Sequence, residues 1–206
     1  MIDIRPGIWQ WSCYSKDKDL DFNGLLIERD AERVLIDPPP MSRDDENVVR
    51  KGGLITAVII TNLHHARRSE QWRESEGARI LVPEADRGGF KSPVDGSFSS
   101  GERLPGGLLA IGLEGMKSSG ETALYWEGDR GGPASTGVMI LGDALIGKPP
   151  GELSLLPSEM VPDATRARRS LRRLLEYRWD TLLVGDGRSF LTGGRAALEK
   201  FLASGD

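Results

Sequence analysis

Short hydrophobic runs separated by polar turns fill the first quarter of the chain. The runs Gly7 to Tyr14, Asn23 to Arg29 and Arg33 to Ile36 are rich in β-branched and aromatic residues, which is typical of strands. Three prolines end the third run, and the acidic residues that follow Ser42 favour the first turn of a helix reaching about Lys51. This pattern predicts three antiparallel strands followed by a helix.

Longer apolar runs alternate with helical patterns in the rest of the chain. Continuous apolar residues are typical of strands that are buried on both faces. The predicted strands are Leu54 to Thr61, Ala78 to Pro83, Ser97 to Arg103, Leu108 to Gly112, Thr122 to Glu127, Gly137 to Leu141 and Thr181 to Val184. The predicted helices are Ser69 to Ser75, Ala164 to Tyr177 and Gly194 to Leu202, and a loop is expected from Gly128 to Thr136. Strands that alternate with helices indicate an α/β fold.

Composition narrows the classes of function. The chain has 206 residues with 38% hydrophobic and 28% charged residues, which fits one globular domain spanning residues 1–206. Its net charge of −4 argues against a general nucleic-acid binder. No run approaches the ~18 apolar residues of a membrane span, and the first residues do not resemble a secretion signal. We therefore expect a cytoplasmic protein without a membrane or nucleic-acid partner.

Two further features have an ordinary interpretation and a functional one. The single cysteine, Cys13, is expected to be a small buried hydrophobic residue rather than a nucleophile. The helix after Asp163 carries six arginines in or near it, and we interpret them as a solvated face. The alternatives are that this face binds an anionic ligand or nucleic acid, or that it supports a homo-oligomer or a complex with another protein. The arginines are Arg166, Arg168, Arg169, Arg172, Arg173 and Arg178.

Five short strings occur in a characteristic order. They are Val34 to Pro39, the apolar strand ending at Thr61, Gly120 to Trp126, Leu141 to Leu145, and Leu183 to Gly187. In this order they resemble the metallo-β-lactamase superfamily over nearly the whole chain. The resemblance implies a four-layer αββα sandwich. It also implies ancestry with metal-dependent hydrolases of ester, thioester, lactone or phosphodiester bonds.

The resemblance also implies where metal ligands would lie. The family signature Thr-His-x-His-x-Asp-His supplies histidine and aspartate ligands to metals that are commonly zinc. In this chain the same register begins at Thr61 and keeps only its second histidine, His64. Asn62 is a weak ligand, Ala66 has no donor atom, and Arg67 is a permanent cation.

Three later ligand positions follow from the same resemblance. Lys117 aligns with a family histidine, and a protonated amine repels a metal ion. The bridging aspartate is kept as Asp143, and Asp186 replaces the last histidine. The residues left to hold a metal are therefore His64, Asp143 and Asp186.

The changed positions suggest a hypothesis about charge. Arg67 and Lys117 would neutralise Asp143 and Asp186 in place of metal ions, and we predict that Arg67 contacts one of these aspartates. The site would then need no cofactor and would bind an unknown small molecule. The alternative is a hydrolase in which His64, Asp143 and Asp186 carry the catalysis, with or without one zinc, manganese or iron ion.

His65 and Glu121 lie beside these positions. We interpret His65 as a loop histidine that is hydrogen-bonded to backbone, and Glu121 as a carboxylate that caps local amides. The alternatives are a metal ligand for His65 and a general base or metal ligand for Glu121.

Overall fold

The computed structural model describes residues 1–128 and 136–204. Within these residues, twelve strands (β1–β12) and four α-helices (α1–α4) are numbered in chain order. The strands are Ile2–Arg5, Ile8–Ser15, Leu20–Arg29, Glu32–Ile36, Ala57–Ile59, Arg79–Pro83, Gly96–Phe98, Arg103–Leu104, Leu108–Gly112, Thr122–Trp126, Gly137–Leu141 and Trp179–Val184. The helices are Arg43–Lys51, Ser69–Glu76, Ala164–Arg172 and Gly194–Ala203.

The strands form two sheets. Strands β1 to β7 lie side by side in chain order, antiparallel as far as β4 and parallel from β4 to β7. The second sheet has the order β12-β11-β10-β9-β8, in which β11 and β12 are parallel. Each of the two sheets therefore combines antiparallel strand pairs with parallel strand pairs.

Alternating side chains along the strands build three separate cores. Val34 and Ile36 of β4 pack against Val138 and Ile140 of β11, which places the two sheets face to face. Leu35, on the other face of β4, packs with residues of α1 and α2. Met139 and Leu141, on the other face of β11, pack with α3 and α4. The predicted four-layer αββα sandwich is confirmed.

Most of the predicted elements are present, with corrected bounds. The single strand predicted from Ser97 to Arg103 was wrong, because this segment forms two strands, β7 and β8, that lie in different sheets. Helix α1 begins after Ser42, whose hydroxyl accepts a hydrogen bond from the Asp45 amide at 3.1 Å, as the acidic first turn predicts. The strand predicted to reach Thr61 ends at Ile59, because the Thr61 amide donates to a carboxylate instead of a neighbouring strand. Strand β1 was missed by the sequence prediction.

Of two other predicted elements, one is shorter than expected and one lies mostly outside the described residues. The helix predicted to reach Tyr177 is α-helical only to Arg172 and continues as a 3-10 turn to Glu176. There the Leu174 carbonyl accepts from the Trp179 indole at 2.7 Å. Most of the predicted loop from 128 to 136 lies outside the described residues. None of the helices described here has the length and apolar character needed to cross a membrane.

The fold brings four strand ends to one edge. The chain leaves parallel strands β4 and β5 at Asp37 and Ile60, and parallel strands β11 and β12 at Gly142 and Gly185. The two sheets touch at this edge, where the Asn23 amide donates to the Gly185 carbonyl at 2.7 Å. Polar side chains that follow these strands therefore converge between the sheets.

Candidate functional site

His65 lies at the centre of a buried polar cluster. Its Nδ1 is 2.8 Å from Oδ2 of Asp37, and its Nε2 is 3.2 Å from Oδ1 of Asp143. The same Nε2 is 4.0 Å from Oδ1 of Asp186. The side chain of His65 is 4% exposed, so these carboxylates provide most of its polar surroundings. Two carboxylates thus hold both ring nitrogens.

Two cations complete the cluster. Nη2 of Arg67 is 2.6 Å from Oδ1 of Asp186, and Nζ of Lys117 is 3.0 Å from Oδ2 of Asp143. The predicted contact of Arg67 with an aspartate is therefore present. We call the six residues Asp37, His65, Arg67, Lys117, Asp143 and Asp186 the floor cluster.

The Arg67 guanidinium also links backbone segments of both sheets. Its Nη1 donates to the carbonyls of Asn23 at 2.7 Å and Asp37 at 3.1 Å, and its Nη2 donates to the Gly185 carbonyl at 3.3 Å. Its carbon atom Cζ lies 5.0 Å from the centre of the Phe22 ring. The backbone at Arg67 has a φ of 42°, an uncommon left-handed conformation for a residue with a side chain.

The charges of the cluster shift the pKa of His65 upward. Burial alone would lower this pKa, but the negative charge of Asp37 and the hydrogen bonds to Asp143 and Asp37 outweigh burial and the repulsion from Arg67. The pKa of His65 rises to about 10. His65 is therefore an imidazolium ion at neutral pH, and its two N–H groups donate to the aspartates.

The pKa values of Asp143 and Asp186 shift in opposite directions. Burial raises the pKa of Asp143, but the hydrogen bond and charge of His65, together with Lys117, hold it well below its usual range. Burial is the largest cause at Asp186 as well. There it combines with repulsion from Asp143 and Asp37 to raise the pKa, despite the charges of His65 and Arg67. Asp143 is thus the firmly ionised carboxylate of the pair.

The structure corrects the roles predicted for the two histidines. The Asn62 side chain accepts a hydrogen bond from the His64 amide at 2.8 Å, and this turn places His64 on the exposed side and His65 on the buried side. His65, and not His64, forms a compact group with Asp143 and Asp186, whose potential ligand atoms lie within 4.8 Å of one another. The predicted backbone hydrogen bond of the His65 ring was wrong, because carboxylates take both nitrogens.

His64 faces the open space above the floor cluster. Burial and the charge of Lys117 lower its pKa, against the attraction of Asp143. A neutral imidazole is thus available to a ligand at this point, beside the Lys117 ammonium group.

Asn62 and Glu121 lie beneath the floor cluster. Glu121 is 1% exposed, and its Oε1 accepts from the Ala144 amide at 3.1 Å, an amide 23 residues away in the sequence rather than a local one. Burial and the charge of Asp143 raise its pKa well above the ordinary value, which favours the protonated form. Neither Glu121 Oε2 nor Asn62 Nδ2 has a hydrogen-bond partner within the described residues.

The space around Gly142 is closed by the same side chains. A Cβ at this position would meet Thr61 Oγ1 and would lie 2.7 Å from Asn62 Nδ2 and 2.9 Å from Glu121 Oε1. We expect Gly142→Ala to lower the free energy of unfolding by ~1–3 kcal/mol, as overpacking commonly does. Urea titration measures this. Gly88→Ala is the control because nothing lies within 4 Å of that Cβ, and an equal effect at both positions would contradict the prediction.

A cavity of about 730 Å³ opens above the floor cluster, within the range of small-molecule sites. The loop at Pro39, the loop from His64 to Arg68 and the segment from Asp143 to Lys148 form its base and sides. The hairpin of β2 and β3 and the stretch around Leu156 form the opposite wall. Cys13 lines this wall and is partly exposed, so the expectation that it is buried was wrong.

Asp37 is the member of the floor cluster to which the sequence assigned no role. Its carboxylate accepts from the Thr61 amide at 2.8 Å and from the Thr61 hydroxyl at 2.5 Å, in addition to His65. Its position directly after a buried strand was the available signal, because such positions converge at the edge of an α/β sheet.

Two facing sheets with helices outside them, and a polar site where strands of both sheets end, define the class of αββα sandwich proteins. Comparison with known proteins agrees. The family model described as "Metallo-beta-lactamase superfamily" matches residues 2–205. The chain belongs to the metallo-β-lactamase superfamily, a superfamily of metal-dependent hydrolases.

Solved structures show the same fold at low sequence identity. The DIM-1 metallo-beta-lactamase superposes with a TM-score of 0.73 at 16% identity, covering 98% of this chain and 94% of that one. A metallo-beta-lactamase from Pontibacter korlensis gives 0.73 at 14%, covering 98% and 96%. A metallo-beta-lactamase family protein from Thermus thermophilus gives 0.67 at 18%, covering 98% and 80%. No curated protein matches the sequence.

The residues of the floor cluster do not fit a dinuclear metal centre. Among the described residues, one group of potential ligands is close enough to share an ion, and it consists of His65, Asp143 and Asp186. Cationic nitrogens already contact both of these aspartates. The one oxygen of Asn62 is occupied by the His64 amide. Residues 1–128 and 136–204 contain no second group of three potential ligands close enough to share an ion.

Proposed function

We propose that this chain is a ligand-binding member of the superfamily whose floor cluster is complete without a metal ion. Three carboxylates, Asp37, Asp143 and Asp186, face three cations, and the cluster is neutral as it stands. The cations are His65, Arg67 and Lys117. A divalent ion would add two positive charges to a site that has no unpaired negative charge to offset them.

The contacts of Arg67 and Lys117 carry this proposal. Both residues stand at positions where the resemblance predicts histidine, and both make direct ion pairs with the carboxylates that remain. Removing buried charges from water is costly unless each has a partner, and here every charge has one. The paired charges of the floor cluster can therefore stabilise the fold and close the base of the cavity.

A reduced one-metal hydrolase is the second candidate. The compact group of His65, Asp143 and Asp186 has three potential ligands, the number that catalytic zinc sites use. The contact of His65 Nδ1 with Asp37 also has the form in which a carboxylate orients a metal-binding histidine. This candidate requires Arg67 and Lys117 to move away from the aspartates.

Metal content separates the two candidates. We expect protein purified without chelator to contain far less than one equivalent of zinc, manganese or iron, and Asp143→Ala to leave that content unchanged. Near-stoichiometric metal that is lost in Asp143→Ala would establish the one-metal candidate instead. Elemental analysis with and without zinc in the growth medium gives the measurement.

A gain-of-binding variant provides the matched control. Lys117→His removes a cation and adds a ligand next to Asp143, so we expect its zinc affinity to rise by ~10-fold or more. Lys51→His adds the same residue on the exposed end of α1 and should not change zinc affinity. Equal zinc binding by both variants would mean that the cations at the site do not control metal access.

The homo-oligomer and the cytoplasmic location stay predictions. Measurement of the molecular mass in solution checks the first of them.

A further inference from the structure

The cavity is cationic although the whole chain carries a net charge of −4. Five basic residues and two aspartates line it. The basic residues are Lys18, Arg67, Arg68, Lys117 and Lys148, and the aspartates are Asp143 and Asp186. An excess of positive charge concentrated in the cavity of an acidic protein favours an anionic ligand.

The negative charges that line the cavity are already paired with cations. Asp143 is paired with His65 and Lys117, and Asp186 with Arg67. The charge of each aspartate is therefore balanced by a contacting cation, and the charges without a counter-ion in the cavity are positive.

Two of the positive charges that line the cavity have no partner within the described residues. The side chains of Arg68 and Lys18 make no ion pair or hydrogen bond with residues 1–128 or 136–204. Lys148 is held by Asp19, and the Lys117 ammonium group has one contact, with Asp143, for its three N–H groups. Lys117 therefore offers free donors on the floor, and Arg68 offers them at the side of the cavity.

The opposite wall is apolar. Phe22, Leu20, Leu156 and Met160 line it, and Met160 is 37% exposed. Apolar walls with a few converging polar groups are the usual composition of small-molecule sites. The wall provides space for the hydrophobic part of a ligand whose charged end contacts Lys117.

We infer that the cavity binds a small amphipathic anion, in which one carboxylate or phosphate group contacts Lys117 and Arg68 and an apolar body packs on the Phe22 wall. This inference rests on the metal-free function proposed above and adds the class of ligand. The shared chemistry is an oxyanion that accepts charge-assisted hydrogen bonds.

A series of probes with one apolar body tests the inference. The probes are 4-phenylbutanoate, 4-phenylbutyl phosphate, 4-phenylbutanamide and 4-phenylbutylamine, with acetate and inorganic phosphate lacking the apolar part. Binding is measured by calorimetry on chelator-treated protein, and by protection of Cys13 from a thiol reagent. Because Cys13 is the only cysteine and lines the cavity, its rate of modification reports occupancy directly.

We expect one or both phenylbutyl anions to bind at least ~10-fold tighter than the amide and to slow the modification of Cys13. The tighter of the two anions then identifies the group, carboxylate or phosphate. Acetate and inorganic phosphate should bind more weakly than their phenylbutyl counterparts. An amide that binds as tightly as both anions, or an amine that binds tighter, would overturn the inference.

Variants assign the binding to named residues. Lys117→Met should remove the preference for the anion, and Arg68→Met should weaken anion binding about threefold, as loss of a partly exposed charge does. Lys16→Met, on the exposed hairpin outside the cavity, is the control and should have no effect. Because Lys117→Met removes one of the two cations that contact Asp143, Arg68→Met decides the result if that protein does not fold. Unchanged affinity in Arg68→Met would then overturn the assignment.

Metal analysis of the same samples separates this inference from the proposed function. Metal-free protein without anion preference overturns the inference alone. Stoichiometric metal with an anion preference that survives chelation overturns the metal-free proposal alone. Anion binding that disappears with the metal overturns both.

Discussion

Replacing Asp37 by asparagine is expected to lower the free energy of unfolding by ~3 kcal/mol, because it leaves the buried His65 cation without its closest counter-charge. The 2% exposed Asp37 carboxylate also accepts two hydrogen bonds from Thr61, so the same change weakens the connection between β4 and the loop after β5. Asparagine keeps the size of the side chain and tolerates the φ of 45° found there. The measured loss therefore reports the charge rather than backbone strain.

The control is Asp17→Asn, which removes an exposed carboxylate from the β2–β3 hairpin. Urea unfolding should show a change within ~0.5 kcal/mol for this variant. A loss below ~1 kcal/mol for Asp37→Asn would mean that His65 is neutral in the folded protein and that the charge balance described above is incorrect.

The second large effect is expected in the titration of the two histidines. His65 should remain protonated until the pH approaches 10, whereas His64 should lose its proton below its ordinary pKa of 6.5. Because the chain contains only these two histidines, nitrogen-15 spectra of the imidazole rings give two separate curves. His64→Gln assigns the curves by removing one of them. A His65 ring that is neutral at pH 8 would contradict the metal-free cluster.

The same pKa implies a dependence of stability on pH. The pKa of His65 is higher in the folded protein than in the unfolded chain, so its stabilisation is complete below about pH 6.5 and is lost as the pH rises through about 10. The free energy of unfolding should therefore fall across this interval in the wild type. In Asp37→Asn the fall should be smaller, because the charge of Asp37 is the main cause that raises the pKa.

The sequence predicted the fold well because the fold depends on patterns spread over many residues. Each strand that is buried on both faces has an apolar run as its sequence, and both faces of β4 and β11 are covered by separate cores. Apart from the missed strand β1, most errors fell at the ends of elements, where single hydrogen bonds decide the boundary. The hydrogen bond from the Trp179 indole to Leu174, at the end of the arginine-rich helix, is an example that no periodicity reveals.

The site was predicted less accurately because its geometry depends on one turn. The alignment selected Arg67, Lys117, Asp143 and Asp186, and two ion pairs join these four residues. It selected His64 over His65 because His64 occupies the family's histidine position. The Asn62 side chain bonds to the His64 amide and directs His65 inward, an effect of local conformation that residue matching does not capture.

The contacts of Arg67 have a consequence for any substitution at this position. Its guanidinium group touches Asp186, Phe22 and the carbonyls of Asn23, Asp37 and Gly185, so it connects three strands. A return to histidine at this one position would remove these contacts while Lys117 still opposed a metal ion. A single substitution toward histidine would therefore weaken the connection between the two sheets without completing a set of metal ligands.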